Sequence, residues 1–197
     1  MNNNMRYFIL FGPPGAGKGT HAGAIAKKYN LRHISTGELL RAEIAAGTEL
    51  GLHAQSLISA GSLVPDSVVE GMIEKAFDTI KDVDGFLLDG FPRTLGQAQD
   101  LDKILEKRGE KVDAVISIMI PDEVVHERIK HRATVEGRAD DASDEVVSNR
   151  IKTYHNQTEP LIDYYKKAGN YHEAAGHPGT IEQNQARILA MIDKEIG

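Results

Sequence analysis

The sequence predicts an α/β protein, in which a parallel central sheet is covered by helices on both of its faces. Two observations lead to this prediction. Short apolar runs alternate along the chain with longer stretches whose apolar residues recur at helical spacing. A glycine-rich turn stops the first of these runs. The chain has 197 residues, 41% of them hydrophobic, which is enough for the core of one domain with small insertions.

The expected strands are short. The clear apolar runs are residues 7–11, 85–88 and 112–118, and the weaker candidates are 171–174 and 32–34. Between them, helical spacing is clearest in residues 101–105 and 181–196. The second of these helices opens with Thr180, and Gln183 stands three positions later, which predicts a capping box.

Two segments interrupt the alternation. Residues 36–64 have a helical pattern throughout and no clear strand. Residues 134–143 are short, polar and charged, with Gly137 among them. Both segments are therefore expected to be excursions from the sheet.

Composition excludes several classes of protein. Lys and Arg number 23 against 29 Asp and Glu, and the net charge of −6 argues against a general binder of nucleic acids or membranes. Cysteine is absent, which excludes disulfides, thiolate nucleophiles and cysteine zinc sites. No apolar run approaches the roughly 20 residues of a membrane span, and the first residues lack the pattern of a signal peptide. A cytoplasmic protein is expected.

The turn after the first strand, residues 12–20, reads Gly-Pro-Pro-Gly-Ala-Gly-Lys-Gly-Thr. Gly12, Gly17 and Lys18 fit the G-x4-G-K frame of a P-loop, whose backbone amides and helix N-terminus surround phosphate oxygens. Lys18 would reach the β- and γ-phosphates. An ordinary glycine-rich turn is the alternative, but the lysine, the spacing and the position after a strand favour nucleotide binding. The fold is accordingly predicted to be the three-layer P-loop NTPase fold.

A carboxylate follows a second strand. Asp89 ends the apolar run that starts at Gly85, which is the pattern of a Walker B element. Alone, such an aspartate is more often a turn residue, but together with a P-loop it predicts a Mg²⁺ site. Asp89 and Thr20 would organise Mg²⁺ and its waters.

Arginines are the third feature of the sequence that indicates binding of phosphate groups. Six of the ten arginines occur where they could face a phosphate-rich cleft: Arg41, Arg93, Arg128, Arg132, Arg138 and Arg150. Guanidinium groups match phosphate oxygens with a fork of donors, although any one arginine could equally be a solvated surface charge. No His-x-x-x-His metal pair and no Ser/His/Asp constellation is present, so hydrolysis by a nucleophilic triad has no support.

Four blocks in this order resemble the adenylate kinases, a family of P-loop nucleoside monophosphate kinases, and the resemblance runs from about Met5 to the end of the chain. The blocks are residues 12–20, 35–41, 86–99 and 137–141. The resemblance implies three parts: a CORE of residues 1–34, 65–130 and 142–197, a helical NMP-binding flap of residues 35–64, and a short LID of residues 131–141.

The resemblance also implies the site residues. Those on the ATP side are Gly15, Ala16, Gly17, Lys18, Gly19, Thr20, Arg128, Arg132 and Gly176. Those on the AMP side are Thr36, Arg41, Ser62, Leu63, Val64, Gly90, Phe91, Pro92, Arg93, Gln97, Arg138 and Arg150. The catalytic set is Lys18, Arg93, Arg132, Arg138 and Arg150. The Gln97 amide offers a donor and an acceptor side by side, which suits the N6/N1 edge of adenine.

The implied reaction is reversible phosphoryl transfer from Mg·ATP to AMP, giving two ADP, by a monomer that has neither nucleic-acid nor membrane partners. The LID is short and cannot hold zinc through four cysteines as some long-lid relatives do. His21 stands where the family more often has glutamine.

Two alternatives are left open by the sequence. One is a UMP/CMP-directed kinase of the same fold, although Thr36 favours AMP. The other is a nucleotide sensor without turnover, against which stand the phosphate-facing arginines and the lack of an N-K-x-D guanine motif.

Overall fold

The computed structural model describes residues 4–60, 64–136 and 143–197. In this part of the chain, strands and helices alternate as predicted. The strands are β1 Arg6–Phe11, β2 Leu31–Ser35, β3 Gly85–Asp89, β4 Ala114–Met119 and β5 Tyr171–Ala175. The helices are α1 Lys18–Tyr29, α2 Thr36–Ala46, α3 Glu49–Ser59, α4 Asp66–Thr79, α5 Leu95–Glu106, α6 Asp122–Glu136, α7 Asp144–Ala168 and α8 Ile181–Glu195. The two weaker strand candidates are thus confirmed as β2 and β5.

The five strands form one parallel sheet in the order β2-β3-β1-β4-β5. Leu10 of β1 and Ser35 of β2 both pair with Asp89 of β3. The carboxyl ends of these three strands therefore lie side by side. In open parallel sheets, ligands bind beyond this edge.

Strand β1 supplies both faces of the core because its side chains alternate. Phe8 and Leu10 pack in a cluster that includes residues of α1 and α8. Tyr7, Ile9 and Phe11 pack on the opposite face, against α4, α5 and α7. A strand covered on both faces is apolar throughout, which is the pattern that the sequence shows. The predicted three-layer α/β arrangement is confirmed.

Helices α2 and α3 cover most of residues 36–64 and confirm their helical pattern. They pack on α4 through a small separate cluster of buried residues, Ala54, Val68 and Met72. Buried Glu43 of α2 binds the Lys75 ammonium group of α4, with 3.0 Å from Nζ to each carboxylate oxygen. The hydrogen bond from Thr48, opposed by burial and helped by Lys75, lowers the pKa of Glu43. An ion pair with one buried partner, Glu43, thus joins α2 to α4, while the Lys75 side chain is 44% exposed.

The capping box predicted at Thr180 is confirmed, because Thr180 and Gln183 exchange hydrogen bonds at the N-terminus of α8. Helix α6 continues to Glu136, so the first residues of the predicted LID are helical. Residues 137–142, with Gly137 and Arg138, lie outside the described residues. Among the residues that are described, no helix is long and apolar enough to cross a membrane.

Candidate active site

The P-loop joins β1 to α1 at the carboxyl edge of the sheet. Gly15 and Gly17 have φ angles of 77° and 71°, a conformation that glycine adopts without the strain other residues incur. Gly17 is the N-cap of α1, which has no side-chain cap and no acidic residue in its first turn. The helix N-terminus is therefore available to an anion.

A cavity of about 800 Å³ opens against this loop. Its wall consists of residues 10–19, Gly90, Pro92 and Arg93, and residues of α6 and α7, namely Arg132, Val146, Asn149, Arg150, Thr153, Tyr154, Gln157, Thr158 and Leu161. Lys18 and three arginines contribute positive charge, and none of the described lining residues is an aspartate or glutamate. A cavity with this charge and volume suits a nucleotide polyphosphate.

Lys18 and Asp89 form an ion pair at the floor of the site. Lys18 Nζ lies 2.9 Å from Asp89 Oδ1, and His33 Nε2 lies 3.1 Å from Asp89 Oδ2. Burial raises the pKa of the Asp89 carboxyl, but the hydrogen bond from His33 and the charge and hydrogen bond of Lys18 outweigh burial. The pKa of Asp89 therefore lies below its ordinary value of 3.8.

Gly90 follows β3 in the chain, and a hydrogen bond links it to the start of α2. Its carbonyl oxygen accepts a hydrogen bond from Arg93 Nε at 2.8 Å and one from Thr36 Oγ1 at 3.4 Å. With φ at 84°, a Cβ on Gly90 would come within 2.9 Å of Thr36 Oγ1. The Arg41 guanidinium folds back against Gly37 in the first turn of α2. Thr36 and Arg93 thus meet at the Gly90 carbonyl oxygen, and Gly90 and Arg93 line the cavity.

Gln97 is buried, with 9% of its surface exposed, and its amide is held at both ends. The Arg93 backbone N–H donates to Gln97 Oε1 at 2.7 Å, and Gln97 Nε2 donates to Asp66 Oδ1 at 2.7 Å. Thr94, the N-cap of α5, accepts from the Gln97 backbone N–H at 3.2 Å. The side chain is therefore fixed in position and in orientation.

Comparison with known proteins agrees with this geometry. Residues 10–170 match the family described as adenylate kinase. The chain is similar to an adenylate kinase of Porphyromonas gingivalis (strain ATCC BAA-308 / W83), with 45% identity over 94% of this chain and 95% of the relative. It is also similar to adenylate kinases of Phocaeicola vulgatus, with 42% identity over 96% and 100% of the two chains, and of Stenotrophomonas maltophilia (strain K279a), with 45% over 93% and 97%.

The chain belongs to the adenylate kinase family. It is accordingly a phosphotransferase, which transfers a phosphoryl group reversibly from ATP to AMP and gives ADP. The family assignment made from the four sequence blocks is confirmed. The family assignment argues further against the alternative of a nucleotide sensor without turnover.

The fold brings most residues assigned to the site together, and a few of them lie outside the lining of the cavity. Arg128 Nη1 approaches the Gly15 carbonyl oxygen at 3.4 Å, so this arginine contacts the P-loop from outside the cavity lining. Gly176 packs against Ile118 and Ile120 at the end of β5, where it leaves no room for a side chain. Thr20 is exposed on α1 and does not line the cavity.

The remaining assigned residues lie in the predicted flap and LID and in the turn after β3. Val64 packs against the α3–α4 cluster. Phe91 and Pro92 are buried, and the peptide bond between them is cis. Ser62, Leu63 and Arg138 lie outside the described residues.

Sequence reasoning missed three contributions to the site. His33 binds Asp89, Asp66 binds Gln97, and α7 supplies Tyr154 and neighbouring residues of the cavity wall. His33 stands in the weakest strand candidate, where only the pairing register reveals its partner. Asp66 would be found only by knowing that the first turns of α4 and α5 lie together.

His21 lies beneath the P-loop. It is 2% exposed, its ring lies close to Gly17, and its Nδ1 atom has no hydrogen-bond partner in the described part of the chain. Burial, and then the charge of Arg128, lower the pKa of His21 below its usual 6.5. A neutral imidazole therefore supports the loop, so the departure from glutamine adds no positive charge there.

The depressed pKa of Asp89 predicts how acid affects stability. Asp89 stabilises the fold above its ordinary pKa of 3.8, and this contribution is lost as pH falls through the lower folded-state value. Asp89→Asn should therefore lower the free energy of unfolding by about 1–3 kcal/mol at pH 7, because Lys18 and His33 lose their partner. The difference from wild type should shrink progressively below about pH 4.

Urea unfolding of the nucleotide-free protein between about pH 7 and pH 3 measures this effect. Asp82→Asn is the control, because Asp82 is exposed in a turn at φ 62°, which asparagine tolerates. A destabilisation by Asp89→Asn that stays constant over the whole pH range would contradict the prediction.

Proposed function

We propose that the P-loop cavity binds Mg·ATP, that AMP binds beside it over residues 90–93, and that the phosphoryl group passes between the two nucleotides. The observation that carries this proposal is the charge of the cavity wall. Lys18, Arg93, Arg132 and Arg150 line one cavity, and none of its described lining residues is a carboxylate. Cations placed in advance around the transferred group stabilise its charge in the transition state.

On the ATP side, the P-loop amides of residues 15–19 and the N-terminus of α1 hold the phosphates of the donor. Lys18 reaches the β- and γ-phosphates, which requires its ammonium group to leave Asp89, 2.9 Å away. Arg128 supports the loop through the Gly15 carbonyl oxygen, and Gly176, packed against Ile118 and Ile120, lies near the ATP base. The donor site is thus largely backbone.

The acceptor does not need a general base. A phosphate monoester has its second pKa near ~6, so AMP arrives largely ionised at neutral pH. The described lining residues accordingly include no histidine, aspartate or glutamate. The chain's contribution to the step is to position the two nucleotides and neutralise their charge.

The residues present fit Mg²⁺ bound together with ATP. Adenylate kinases in general use Mg²⁺ with ATP. The described residues contain no cluster of three or more metal-ligating side chains, so the phosphates would have to complete the coordination. The Asp89 carboxylate and the Thr20 hydroxyl are hard oxygen ligands suited to the ion and its waters. When bound, Mg²⁺ neutralises charge on the donor phosphates.

On the AMP side, Thr36 and Arg41 lie in the first turns of α2, and Arg93 lies across from them on the Gly90 carbonyl. Gln97 reads the adenine base. The geometry supports this because its amide retains one N–H and one oxygen lone pair beyond those used within the protein. Ser62–Val64 and Arg138 would complete the site from the flap and the LID.

Flap and LID, residues 35–64 and 131–141, close over the nucleotides before the transfer, which keeps water from competing for the phosphoryl group. The described contacts between the flap and the CORE include a small apolar cluster, the ion pair of Glu43 with Lys75 and the hydrogen bond from Thr36 to the Gly90 carbonyl oxygen. These contacts are compatible with movement of the flap as a unit.

We propose further that the protein is a cytoplasmic monomer. Its exposed large apolar side chains belong to several different elements, among them Leu52 on α3, Leu95 on α5 and Ile181 on α8. Single exposed apolar side chains do not by themselves indicate an interface. Light scattering on the purified protein should give a mass close to that of one chain, 21.6 kDa. A mass of twice that value would exclude the monomer.

Lys18→Ala should lower kcat by about 100- to 1,000-fold or more while the fold survives, because one charge that stabilises the transferred phosphoryl group is removed. A coupled assay of ADP formation from ATP and AMP measures the rate, and circular dichroism monitors folding. The matched control is Lys27→Ala, on the exposed side of the same helix. Turnover like wild type in Lys18→Ala would overturn the assignment of the P-loop as the donor site.

Gln97→Ala should reduce the preference for AMP over IMP by about 10-fold or more, because IMP differs from AMP only at the base edge that Gln97 reads. The ratio of kcat/KM for the two acceptors, with ATP as donor, is the measurement. Gln99→Ala, an exposed glutamine on the same helix, is the control. An unchanged ratio in Gln97→Ala would place base reading elsewhere.

A further inference from the structure

The hydrogen bonds of Gln97 define which end of its amide is the donor. The backbone N–H of Arg93 can only donate, so the atom 2.7 Å from it must be the amide oxygen. The Asp66 carboxylate can only accept, so the atom 2.7 Å from it must be the amide nitrogen. The two partners come from different elements and impose the same orientation.

A flipped amide would make two mismatches at once. The Gln97 oxygen would face the Asp66 carboxylate, and the Gln97 nitrogen would face the Arg93 N–H. Because Gln97 is 9% exposed, water cannot readily satisfy the groups left without partners. The pair of partners therefore excludes the flipped state far more strongly than one partner could.

The orientation matters for the choice of base. Adenine presents an amino group at N6 and an acceptor at N1, which matches the remaining lone pair of Oε1 and the remaining N–H of Nε2. Hypoxanthine presents a carbonyl oxygen at C6 and an N–H at N1, which is the reverse pattern. A glutamine free to flip would accept either base, and one held in this orientation accepts only the first.

We propose that Asp66 is a positioning residue for acceptor choice: it holds the Gln97 amide in the orientation that matches a 6-amino purine and opposes a 6-oxo purine. The proposal rests on the proposed function, in which Gln97 reads the base of AMP. Asp66 lies in the first turn of α4 and Gln97 in that of α5, and Thr94 fixes the start of α5. Asp66 is exposed, so its action is through Gln97 rather than through a buried wall.

Other acidic groups surround Asp66 but have different partners. Glu70 and Glu74 lie on the same helix, and Asp100 lies on α5 and forms an ion pair with Lys103 at 2.9 Å. Burial, and then the charge of Asp100, raise the pKa of Glu70, with Asp66 and Glu74 adding to the effect. Asp100 therefore adds negative charge close to Asp66. It is not a hydrogen-bond partner of Gln97 in the described part of the structure.

The test is the ratio of kcat/KM for AMP to that for IMP, with ATP as donor, in Asp66→Ala, Asp66→Asn and Asp100→Asn. Asp66→Ala should lower the ratio by about 10-fold, because the amide then flips at the cost of one mismatch instead of two. Asp66→Asn should lower the ratio to a similar extent, because an asparagine amide can itself turn and donate to the oxygen of a flipped Gln97. Asp100→Asn removes a neighbouring charge and should not change the ratio.

CMP supplies an internal control, because cytosine presents an amino group beside an acceptor nitrogen, as adenine does. The ratio of AMP to CMP should therefore stay unchanged in Asp66→Ala, whereas general damage to the acceptor site would change both ratios. A merely structural role for Asp66 in starting α4 would lower stability and activity without selecting between AMP and IMP.

Three results would overturn the proposal. If Asp66→Ala keeps the wild-type AMP/IMP ratio while Gln97→Ala lowers it, Gln97 reads the base without Asp66, and the proposed function stands. If Asp100→Asn lowers the ratio as much as Asp66→Ala, charge rather than amide orientation is responsible. If Gln97→Ala also keeps the wild-type ratio, both the positioning role and base reading by Gln97 fail.

Discussion

Parallel pairing of β3 with both β1 and β2 places Leu10, Asp89 and Ser35 in one row across the sheet. Three chain segments leave the sheet from this row: the P-loop after β1, the Gly90–Arg93 turn after β3 and α2 after β2. A shift of one residue in the register would turn each side chain of the strand to the other face. The donor site, the ion pair of Lys18 with Asp89 and the acceptor site therefore all depend on this one alignment.

The candidate site carries positive charge although the chain as a whole is acidic. The net charge is −6, yet the described lining of the main cavity includes Lys18, Arg93, Arg132 and Arg150 and no carboxylate. Asp89 is the nearby counter-charge, 2.9 Å from Lys18. In the proposed function, phosphate replaces Asp89 as the partner of Lys18, so one ion pair would be exchanged for another when the nucleotide binds.

Polar groups held at both ends give the acceptor side its rigidity. The Gly90 carbonyl receives Arg93 and Thr36, and the Gln97 amide lies between the Arg93 backbone and Asp66. Groups that are already ordered before the ligand arrives lose little conformational freedom on binding, which favours both affinity for the ligand and selectivity between ligands. The predicted flap, residues 35–64, also packs on α4 through a small apolar cluster and the ion pair of Glu43 with Lys75.

Local patterns in the sequence were sufficient for the alternation of strands and helices, the P-loop, the capping box at Thr180 and the family of the protein, because each depends on residues adjacent in the chain. They also indicated most of the cavity lining on the P-loop and after β3. They did not reveal His33 beside Asp89, 56 positions away, or Asp66 beside Gln97, 31 positions away. Those contacts follow from strand register and from the packing of α4 against α5, which only the tertiary structure decides, since the hydrophobic pattern of each element is compatible with many placements of its polar residues.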